Sequence, residues 1–211
     1  PPMPFVPPEH HGRLVIMALV VHAGPTDAGE AAIAPFRALA KPIVDMLRPM
    51  PFPEMYEQGP EGYHPKAVGR TMFVDAVDRD AASTMVDYLH ASTAPMRVVQ
   101  LRVLGGAVAR VPSDATAFAH RERRIMVNVG AVYEQPEEAV VHEAWVGELA
   151  AALNQGYVGA YVNFLGDEGP GRVRAAYPGS TWDRLSEIKR RYDPTNLFRL
   201  NQNIPPATDG H

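Results

Sequence analysis

Runs of apolar residues alternate with amphipathic stretches along the chain and predict strands followed by helices. The apolar run "LVIMALVV" is too short to cross a bilayer and is rich in strand formers, so we predict a buried strand over residues 13–21. A helical pattern follows in "PTDAGEAAIAPFRALAKPIVDML". Thr26 or Asp27 is its expected N-cap, and Pro42 is expected to kink or break it.

The middle of the chain continues this alternation. Residues 49–70 are rich in proline and predict an irregular loop, either a plain surface loop or the wall or lid of a site. "FVDAVDRDAASTMVDYLHAS" predicts a short strand that runs into a helix capped near Asp78. "MRVVQLRVL", "GGA" and "VARV" predict a strand, a tight turn and a second short strand, and "RRIMVNVGAVY" predicts another strand.

The last third of the chain predicts helix, strand and helix. The helix in "PEEAVVHEAWVGELAAALNQG" should end before Gly156. The stripe that it should bury consists of Val141, Ala144, Trp145, Leu149 and Leu153. "YVGAYVNFL" predicts the last strand, and "TWDRLSEIKRRYDP" predicts a closing helix stopped by Pro194. These elements predict an α+β fold with a largely antiparallel sheet and helices packed on one face.

Several predicted strands carry one polar face. The residues on it are Gln100 and Arg102, Met126 and Asn128, and Tyr161 and Asn163. The pattern is typical of a sheet whose back faces water, and also of a ligand-binding surface. Gln, Asn, Tyr and Met, in place of Lys, Glu and Thr, favour the ligand because they form hydrogen bonds without adding charge.

The composition excludes several classes of function. A hydrophobic fraction of 46% and a charged fraction of 21% are ordinary for a soluble globular protein. The net charge of −4, with scattered Lys and Arg, argues against nucleic acid as a partner. The absence of cysteine excludes disulfides, thiolate metal sites and a cysteinyl link to a cofactor.

The remaining motifs predict neither a metal site nor a hydrolase. The histidines lack metal-ligand spacing, and neither a GxSxG nor a phosphate-loop motif occurs. Asp167 and Glu168 lie in a glycine-rich turn and are expected to be solvated. No signal peptide or membrane segment is recognisable, so we expect a cytoplasmic protein without a membrane partner.

The C-terminal sequence is the most specific feature of the chain. "AYVNFLGDEG" followed by "RVRAAYPGSTWDRLSEIKRRYDPTNLFRLNQNIPP" resembles the C-terminal segment of FAD-linked oxidases of the berberine bridge enzyme family, within the vanillyl-alcohol-oxidase superfamily. Upstream, "RVLGGAVARVPSDATAFAHR", "RIMVNVGA" and the opening βα stretch look like the substrate domain of that family. The resemblance therefore covers nearly the whole chain.

This resemblance implies a division of the chain and a set of partners. Residues 1–157 would be a substrate-binding domain, and residues 158–211 a segment that packs on a flavin-binding domain. That domain, which would bind most of the FAD, is not part of the sequence, so we expect a fragment or a separately encoded chain. Expected partners are a flavin-binding domain, on the same polypeptide or another, and a small-molecule substrate that is an alcohol, a sugar or a secondary metabolite. A homo-oligomer is also compatible with these features. The alternative is a free-standing, non-catalytic binding module that has lost its flavin domain.

The resemblance also implies roles for individual residues. Tyr161 stands at the tyrosine of the family's Y-x-N strand, which helps to take the substrate's hydroxyl proton while hydride passes to the flavin. A phenol is a poor base at neutral pH unless a cation or a strong donor stabilises its anion, and Arg102 is the candidate for that role. Asn163 would orient the tyrosine or touch the flavin, and Gln100 and Asn128 would shape the substrate pocket.

The amides of "LNQNIPP" have two possible roles. In the first, they are satisfied across the interface with the flavin domain, with Leu197, Phe198 and Ile204 as apolar anchors and Asn201 as a flavin contact. In the second, they bond the local backbone near the chain end.

Overall fold

The computed structural model describes residues 5–56 and 65–208. The chain divides into two compact units, Pro1–His64 and Pro65–His211, and each is described here by itself. Within the described ranges, no helix combines the length and apolar character needed to cross a membrane.

The first unit contains one α-helix in its described part, α1, Thr26–Arg37, and two short 3-10 turns, Pro8–His10 and Phe52–Met55. The strand predicted over residues 13–21 is wrong, because no described residue of this unit lies in a strand. Ile16 and Leu19 are largely exposed. A strand needs a hydrogen-bonded neighbour, and the described part of this unit supplies none.

Helix α1 forms in the predicted segment but differs from the prediction at both ends. Pro25 occupies the N-cap position, so the predicted cap by Thr26 or Asp27 is wrong. The helix ends before Pro42, which therefore does not kink it. At its last residue, Arg37 donates hydrogen bonds to Glu30 and to Asp45, at 2.9 Å and 2.7 Å.

The second unit is built on a three-stranded antiparallel sheet, as far as residues 65–208 show. Its strands are β1, Lys66–Val74, β2, Met96–Val103, and β3, Ile125–Tyr133, in the spatial order β1-β3-β2. Strand β1 starts inside the predicted loop 49–70, so that prediction is wrong for residues 66–70, whereas residues 57–64 lie outside the described ranges. Both strand pairs keep their register without interruption, which places every second side chain on the same face.

Helices α2, Arg79–Ala91, and α3, Ala139–Ala152, cover one face of the sheet and form the main core. Asp78 caps α2 as predicted, since its carboxylate accepts the backbone N–H of Ala81 at 2.8 Å. The Trp145 indole N–H reaches the carbonyl of Tyr88 in α2 at 2.9 Å and ties the two helices together.

The buried stripe of α3 matches the prediction only in part. Trp145, Leu149 and Leu153 are buried as expected, whereas Val141 and Ala144 are exposed. His142 and Val146 are buried instead, so the face that meets the sheet is rotated from the predicted one.

The opposite face of the sheet is approached by the C-terminal part of the unit. This part contains a 3-10 turn, Val162–Phe164, and helices α4, Pro170–Ala176, and α5, Ser180–Tyr192, the closing helix predicted from the sequence. A second, smaller core forms around Ala160, Leu165 and Val173. The strands predicted for "VARV" and "YVGAYVNFL" are wrong, because neither segment joins the sheet. The α+β class is confirmed.

His120 links this C-terminal part to the sheet. It is buried, and its ring stacks on Phe73 of β1 with centroids 4.3 Å apart. Its Nε2 lies 3.1 Å from the carbonyl oxygen of Ala176, and its Nδ1 lies 3.0 Å from the hydroxyl of Tyr157. Because a carbonyl only accepts, the hydrogen sits on Nε2, and Nδ1 accepts the Tyr157 hydroxyl. The neutral ring thus satisfies two partners from separate segments.

The stability of this link should depend on pH. Burial, assisted by the Arg123 guanidinium, lowers the pKa of His120 below its ordinary value of 6.5. As the pH falls, His120 therefore takes up a proton in the unfolded chain before it does so in the folded chain. The contribution of neutral His120 to the free energy of unfolding is thus complete above pH 6.5 and declines below it. We expect His120→Phe, which keeps a ring on Phe73 but leaves two polar groups unpaired, to lower the free energy of unfolding by about 1–3 kcal/mol at pH 8.

Urea unfolding of both proteins between about pH 5 and pH 8 measures this effect, and the difference should shrink toward acid pH because phenylalanine does not titrate. His90→Gln, at an exposed position of α2, is the control and should keep the pH dependence of the wild type. A difference that stays constant with pH would contradict the prediction.

Candidate active site

Strand register aligns the polar side chains of the sheet face opposite α2 and α3. One row across the three strands consists of Thr71, Asn128 and Gln100. The next row consists of Phe73, Met126 and Arg102. The strand positions on this face carry no carboxylate, and Arg102 is their one charged side chain. The face therefore combines apolar positions with a few polar side chains and is almost uncharged.

Gln100 is the centre of the hydrogen bonding on this face. Its side-chain oxygen accepts the Asn128 amide at 3.1 Å and an Arg102 guanidinium N–H at 2.8 Å. Gln100 and Asn128, predicted to shape the pocket, are thus joined in one cluster with Arg102, predicted to act on Tyr161. Because the Gln100 side-chain oxygen accepts from both Asn128 and Arg102, its position is fixed. The Gln100 amide nitrogen can then face a ligand.

Arg102 approaches Tyr161 through an aromatic ring. Its guanidinium carbon lies 4.7 Å from the centroid of the Phe164 ring, and the rings of Phe164 and Tyr161 are 5.7 Å apart. Phe164 therefore contacts both residues. The role of Arg102 in stabilising a Tyr161 anion stays a prediction.

The Tyr161 phenol is held by one donor and two rings. Asn163 donates its side-chain N–H to the phenol oxygen at 2.9 Å. Phe118 meets the Tyr161 ring edge-on at 5.7 Å, and Phe164 lies on another side. Since the phenol oxygen accepts from Asn163, its own hydrogen remains available to an acceptor in a ligand.

The backbone around Tyr161 is fixed by side chains of other elements. The N–H of Tyr161 donates to the hydroxyl of Thr71 in β1 at 3.0 Å. Arg172 of α4 donates to the carbonyl oxygens of Gly159 and Thr71, at 3.2 Å and 2.8 Å. Tyr161 is thereby attached to the sheet even though its segment is not a strand.

Glu168 is not solvated, and that prediction is wrong. Its side chain is only 9% exposed, and its carboxylate lies 3.0 Å from Arg172 and 3.2 Å from Arg70. Two guanidinium groups on one carboxylate offset the cost of burying it. Asp167, the neighbouring residue, is exposed as predicted.

Asp193 organises the turn after α5. Its carboxylate accepts the backbone N–H groups of Leu197 and Phe198, at 2.8 Å and 3.0 Å. Lys189 pairs with this carboxylate and also donates to the carbonyl of Phe198. The Lys189 hydrogen bond, together with the two backbone donors, lowers the pKa of Asp193. The turn presents Leu197 and Phe198 outward, with exposures of 73% and 78%.

The amides near the C-terminus differ in role, and the Gln202 amide bonds a backbone segment that is distant in sequence. Asn196 and Asn201 adopt left-handed backbone conformations, with φ of 53° and 59°, which asparagine tolerates better than other residues with a side chain. Gln202 donates its amide to the carbonyl oxygen of Leu165 at 2.7 Å. The side chain of Asn201 is exposed, and its contact with a flavin stays a prediction.

Several residues that build the site were not recognised in the sequence: Thr71, Arg172, Glu168, Phe164 and Phe118. Thr71 was detectable, because alternation along β1 places it on the same face as Phe73. Glu168 and Arg172 are four positions apart, the spacing of a helical ion pair, whereas the contacts of Arg172 with Thr71 and of Phe118 with Tyr161 join segments far apart in sequence.

Comparisons with known proteins agree with the C-terminal motifs. Residues 160–205 match the family model described as berberine and berberine like. An uncharacterized FAD-linked oxidoreductase of Bacillus subtilis, YgaK, is 30% identical over 90% of this chain and 43% of its own length. A carbohydrate oxidase of Microdochium nivale is 25% identical over 78% of this chain and 33% of its own length. The chain thus spans less than half of these curated relatives.

Solved structures show the same fold at low sequence identity. Berberine bridge enzyme from Eschscholzia californica superposes with a TM-score of 0.59 at 22% identity, over 72% of this chain and 35% of that one. Chitooligosaccharide oxidase gives a TM-score of 0.56 at 20% identity, over 69% of this chain and 34% of that one. Over residues 160–205 the chain carries the berberine-like domain, and beyond it the chain is similar to part of FAD-linked oxidoreductases of this kind.

Proposed function

We propose that this chain is the substrate-binding and C-terminal part of an FAD-dependent oxidoreductase that oxidises a hydroxyl-bearing alcohol, sugar or secondary metabolite. The observation that carries the proposal is the Tyr161 phenol, which receives a hydrogen bond from Asn163 beside an almost uncharged polar sheet face. An oxidase of this kind needs a group that takes the hydroxyl proton of the substrate as hydride leaves its carbon.

The chemistry of the sheet face supports a neutral, hydroxyl-bearing substrate. Gln100 and Asn128 offer carboxamides, which donate to and accept from hydroxyl groups without charge. A carboxylate on this face would attract cations, and the strand positions hold none. The name of the Microdochium nivale relative, a carbohydrate oxidase, is consistent with a hydroxyl-bearing substrate.

The residues present also fit a flavin. Asn163 and Asn201 have exposed side-chain amides that would hold its polar edge, and Tyr161 lies within hydrogen-bond distance of Asn163. When bound, a flavin accepts the hydride from the substrate carbon. The chain's own residues do the rest. To act as the base, the Tyr161 phenol first gives up its own proton to solvent; its oxygen then takes the hydroxyl proton, and the Asn163 N–H stabilises the negative charge on that oxygen before the transfer.

The exposed apolar turn supports a flavin-binding domain as the partner. Leu197, Phe198 and Leu200 are 73%, 78% and 86% exposed, and Asp193 fixes the backbone that presents two of them. Apolar side chains on a fixed backbone are suited to an interface because little conformational entropy is lost on binding. The same surface would make the chain self-associate when it is alone.

An absorbance spectrum from about 300 to 550 nm, taken on the intact protein from its native source, tests the proposed cofactor. A flavin band in a protein larger than this chain supports the oxidase. A colourless protein that still binds small hydroxylated ligands would overturn it in favour of the non-catalytic binding module.

Removing the phenol oxygen tests the proposed proton transfer. We expect Tyr161→Phe to lower kcat by roughly 10²–10⁴-fold with a smaller change in KM, because the acceptor of the hydroxyl proton is lost. Steady-state kinetics with flavin content measured on the same sample check this. Tyr192→Phe makes the same chemical change on an exposed residue of α5 and should leave kcat unchanged. Equal rates for the two variants would remove Tyr161 from the mechanism.

Weakening the Asp193 turn tests the proposed interface. We expect Asp193→Asn, which loses the ion pair with Lys189, to lower the melting temperature and to release flavin more readily at neutral pH. Because the pKa of Asp193 is lowered from 3.8, this contribution is complete above about pH 4 and is lost as the pH falls further.

Thermal melting at several pH values, with flavin fluorescence in the supernatant, measures both effects. Asp183→Asn, in the first turn of α5, changes a largely exposed carboxylate and serves as the control. If Asp193→Asn melts and retains flavin like this control at pH 7, the turn does not support the interface.

A further inference from the structure

The backbone that carries Tyr161 lacks the usual support of a sheet residue. Tyr161 has extended backbone angles, but its segment is outside the three-stranded sheet of residues 65–208. The carbonyl of Tyr161 is used by the following turn, where it accepts the N–H of Phe164 at 3.0 Å. Its N–H needs a hydrogen-bond acceptor outside the sheet ladder, and the position of that acceptor fixes the backbone from which the Tyr161 side chain extends.

Thr71 supplies this group from the middle of β1. Its hydroxyl oxygen accepts the Tyr161 N–H at 3.0 Å, and the residue is completely buried. Water cannot replace a bond at such a position, so its loss leaves a buried donor unsatisfied. Thr71 also pairs in register with Asn128, so the attachment point lies in the same row as the amides of the polar face.

Arg172 fixes the same two segments a second time. Its three guanidinium nitrogens each have a separate acceptor: the carbonyl oxygens of Thr71 and Gly159, and the Glu168 carboxylate. Thr71 thus accepts the Tyr161 N–H with its hydroxyl oxygen and an Arg172 N–H with its carbonyl oxygen. A planar guanidinium serves three acceptors in fixed directions, which the single ammonium of lysine does not reproduce.

The positive charge of Arg172 is paired with a carboxylate inside the protein. Glu168 is largely buried and lies between Arg172 and Arg70, so Arg172 is oriented by its own ion pair. The clamp therefore consists of the Thr71 hydroxyl from β1 and the Arg172 guanidinium and Glu168 carboxylate from one short segment at the start of α4.

We propose that Thr71 and Arg172 are positioning residues for Tyr161, holding the backbone of residues 159–161 on β1 so that the phenol keeps its place at the polar sheet face. The inference rests on the proposed function in assigning Tyr161 the proton transfer. A displacement of about 1 Å in a reacting group can cost roughly 10²-fold in rate, so these distant bonds matter for turnover.

Thr71→Val and Thr71→Ser in the intact protein test the hydroxyl. Valine has the same shape without the acceptor, so we expect kcat to fall by roughly 10- to 100-fold with little change in KM. Serine keeps the acceptor and should restore most of kcat. Hydrogen–deuterium exchange at the Tyr161 amide provides a readout independent of turnover: protection should be lost in Thr71→Val and kept in Thr71→Ser.

A second pair of variants tests the clamp where Thr71→Val does not fold. Arg172→Lys should lower kcat and speed exchange at Tyr161, whereas Arg174→Lys, on the same helix over the Trp182 ring, should do neither. Wild-type protection of the Tyr161 amide in Thr71→Val or Arg172→Lys would overturn the proposal. If the intact protein has no flavin and no turnover, the proposed function fails, and amide exchange still decides whether the clamp holds Tyr161.

Discussion

The site depends on how the segment around Tyr161 is attached to β1. A strand in this place would be held by a ladder of backbone hydrogen bonds that constrains every residue. Here the side chains of Thr71 and Arg172 hold residues 159 and 161, and the chain is free to turn immediately afterwards. The 3-10 turn Val162–Phe164 follows, and it brings Asn163 and Phe164 back against the phenol. Attachment by side chains thus allows one short segment to both cover the sheet and surround its own tyrosine.

The asparagines of the C-terminal turn are also explained by the conformation of the backbone. Asn196 and Asn201 lie where the backbone is left-handed, so the choice of asparagine is explained by conformation before any contact is considered. Asp193 and Gln202 then satisfy backbone groups of the turn and of Leu165–Gly166. The apolar side chains between them are left exposed on a fixed frame. Local satisfaction of the backbone and an outward apolar surface are therefore two results of the same sequence.

The sequence predicted those parts of the fold whose signals are local. Strands β2 and β3 follow from alternation in β-branched runs, α2 follows from Asp78 and its amphipathic stretch, and α5 ends at Tyr192, just before the predicted stop at Pro194. The run at residues 14–21 has an equally strong strand pattern but no hydrogen-bonded neighbour in the described part of its unit. Pairing is a non-local property that composition does not contain.

The same distinction applies to the site. Residue type and alternation predict Gln100, Asn128 and Arg102, which the structure brings together in one cluster. The roles of Tyr161 and Asn163 are implied by the family resemblance and stay predictions. Thr71 and Arg172 are linked across 101 positions of sequence, and a salt bridge buries Glu168 in a turn that predicts exposure. The Thr71–Arg172 contact follows from the packing of α4 against the sheet and has no sequence period to reveal it, whereas the Glu168–Arg172 pair has the i,i+4 spacing but its burial depends on that same packing.

The geometry also ranks two groups that could stabilise a Tyr161 anion, a role predicted for Arg102 from the sequence. A cation near Tyr161 and a donor to its oxygen both stabilise a phenolate, but the effect of a direct hydrogen bond depends less on solvent screening than that of a charge across a ring. Asn163 makes the direct bond at 2.9 Å, whereas Arg102 spends one N–H on Gln100 and faces Tyr161 through Phe164. Within the proposed mechanism, Asn163 is therefore the immediate stabiliser of the Tyr161 anion. Arg102 acts directly by ordering the Gln100 side chain, and its charge acts on Tyr161 at longer range.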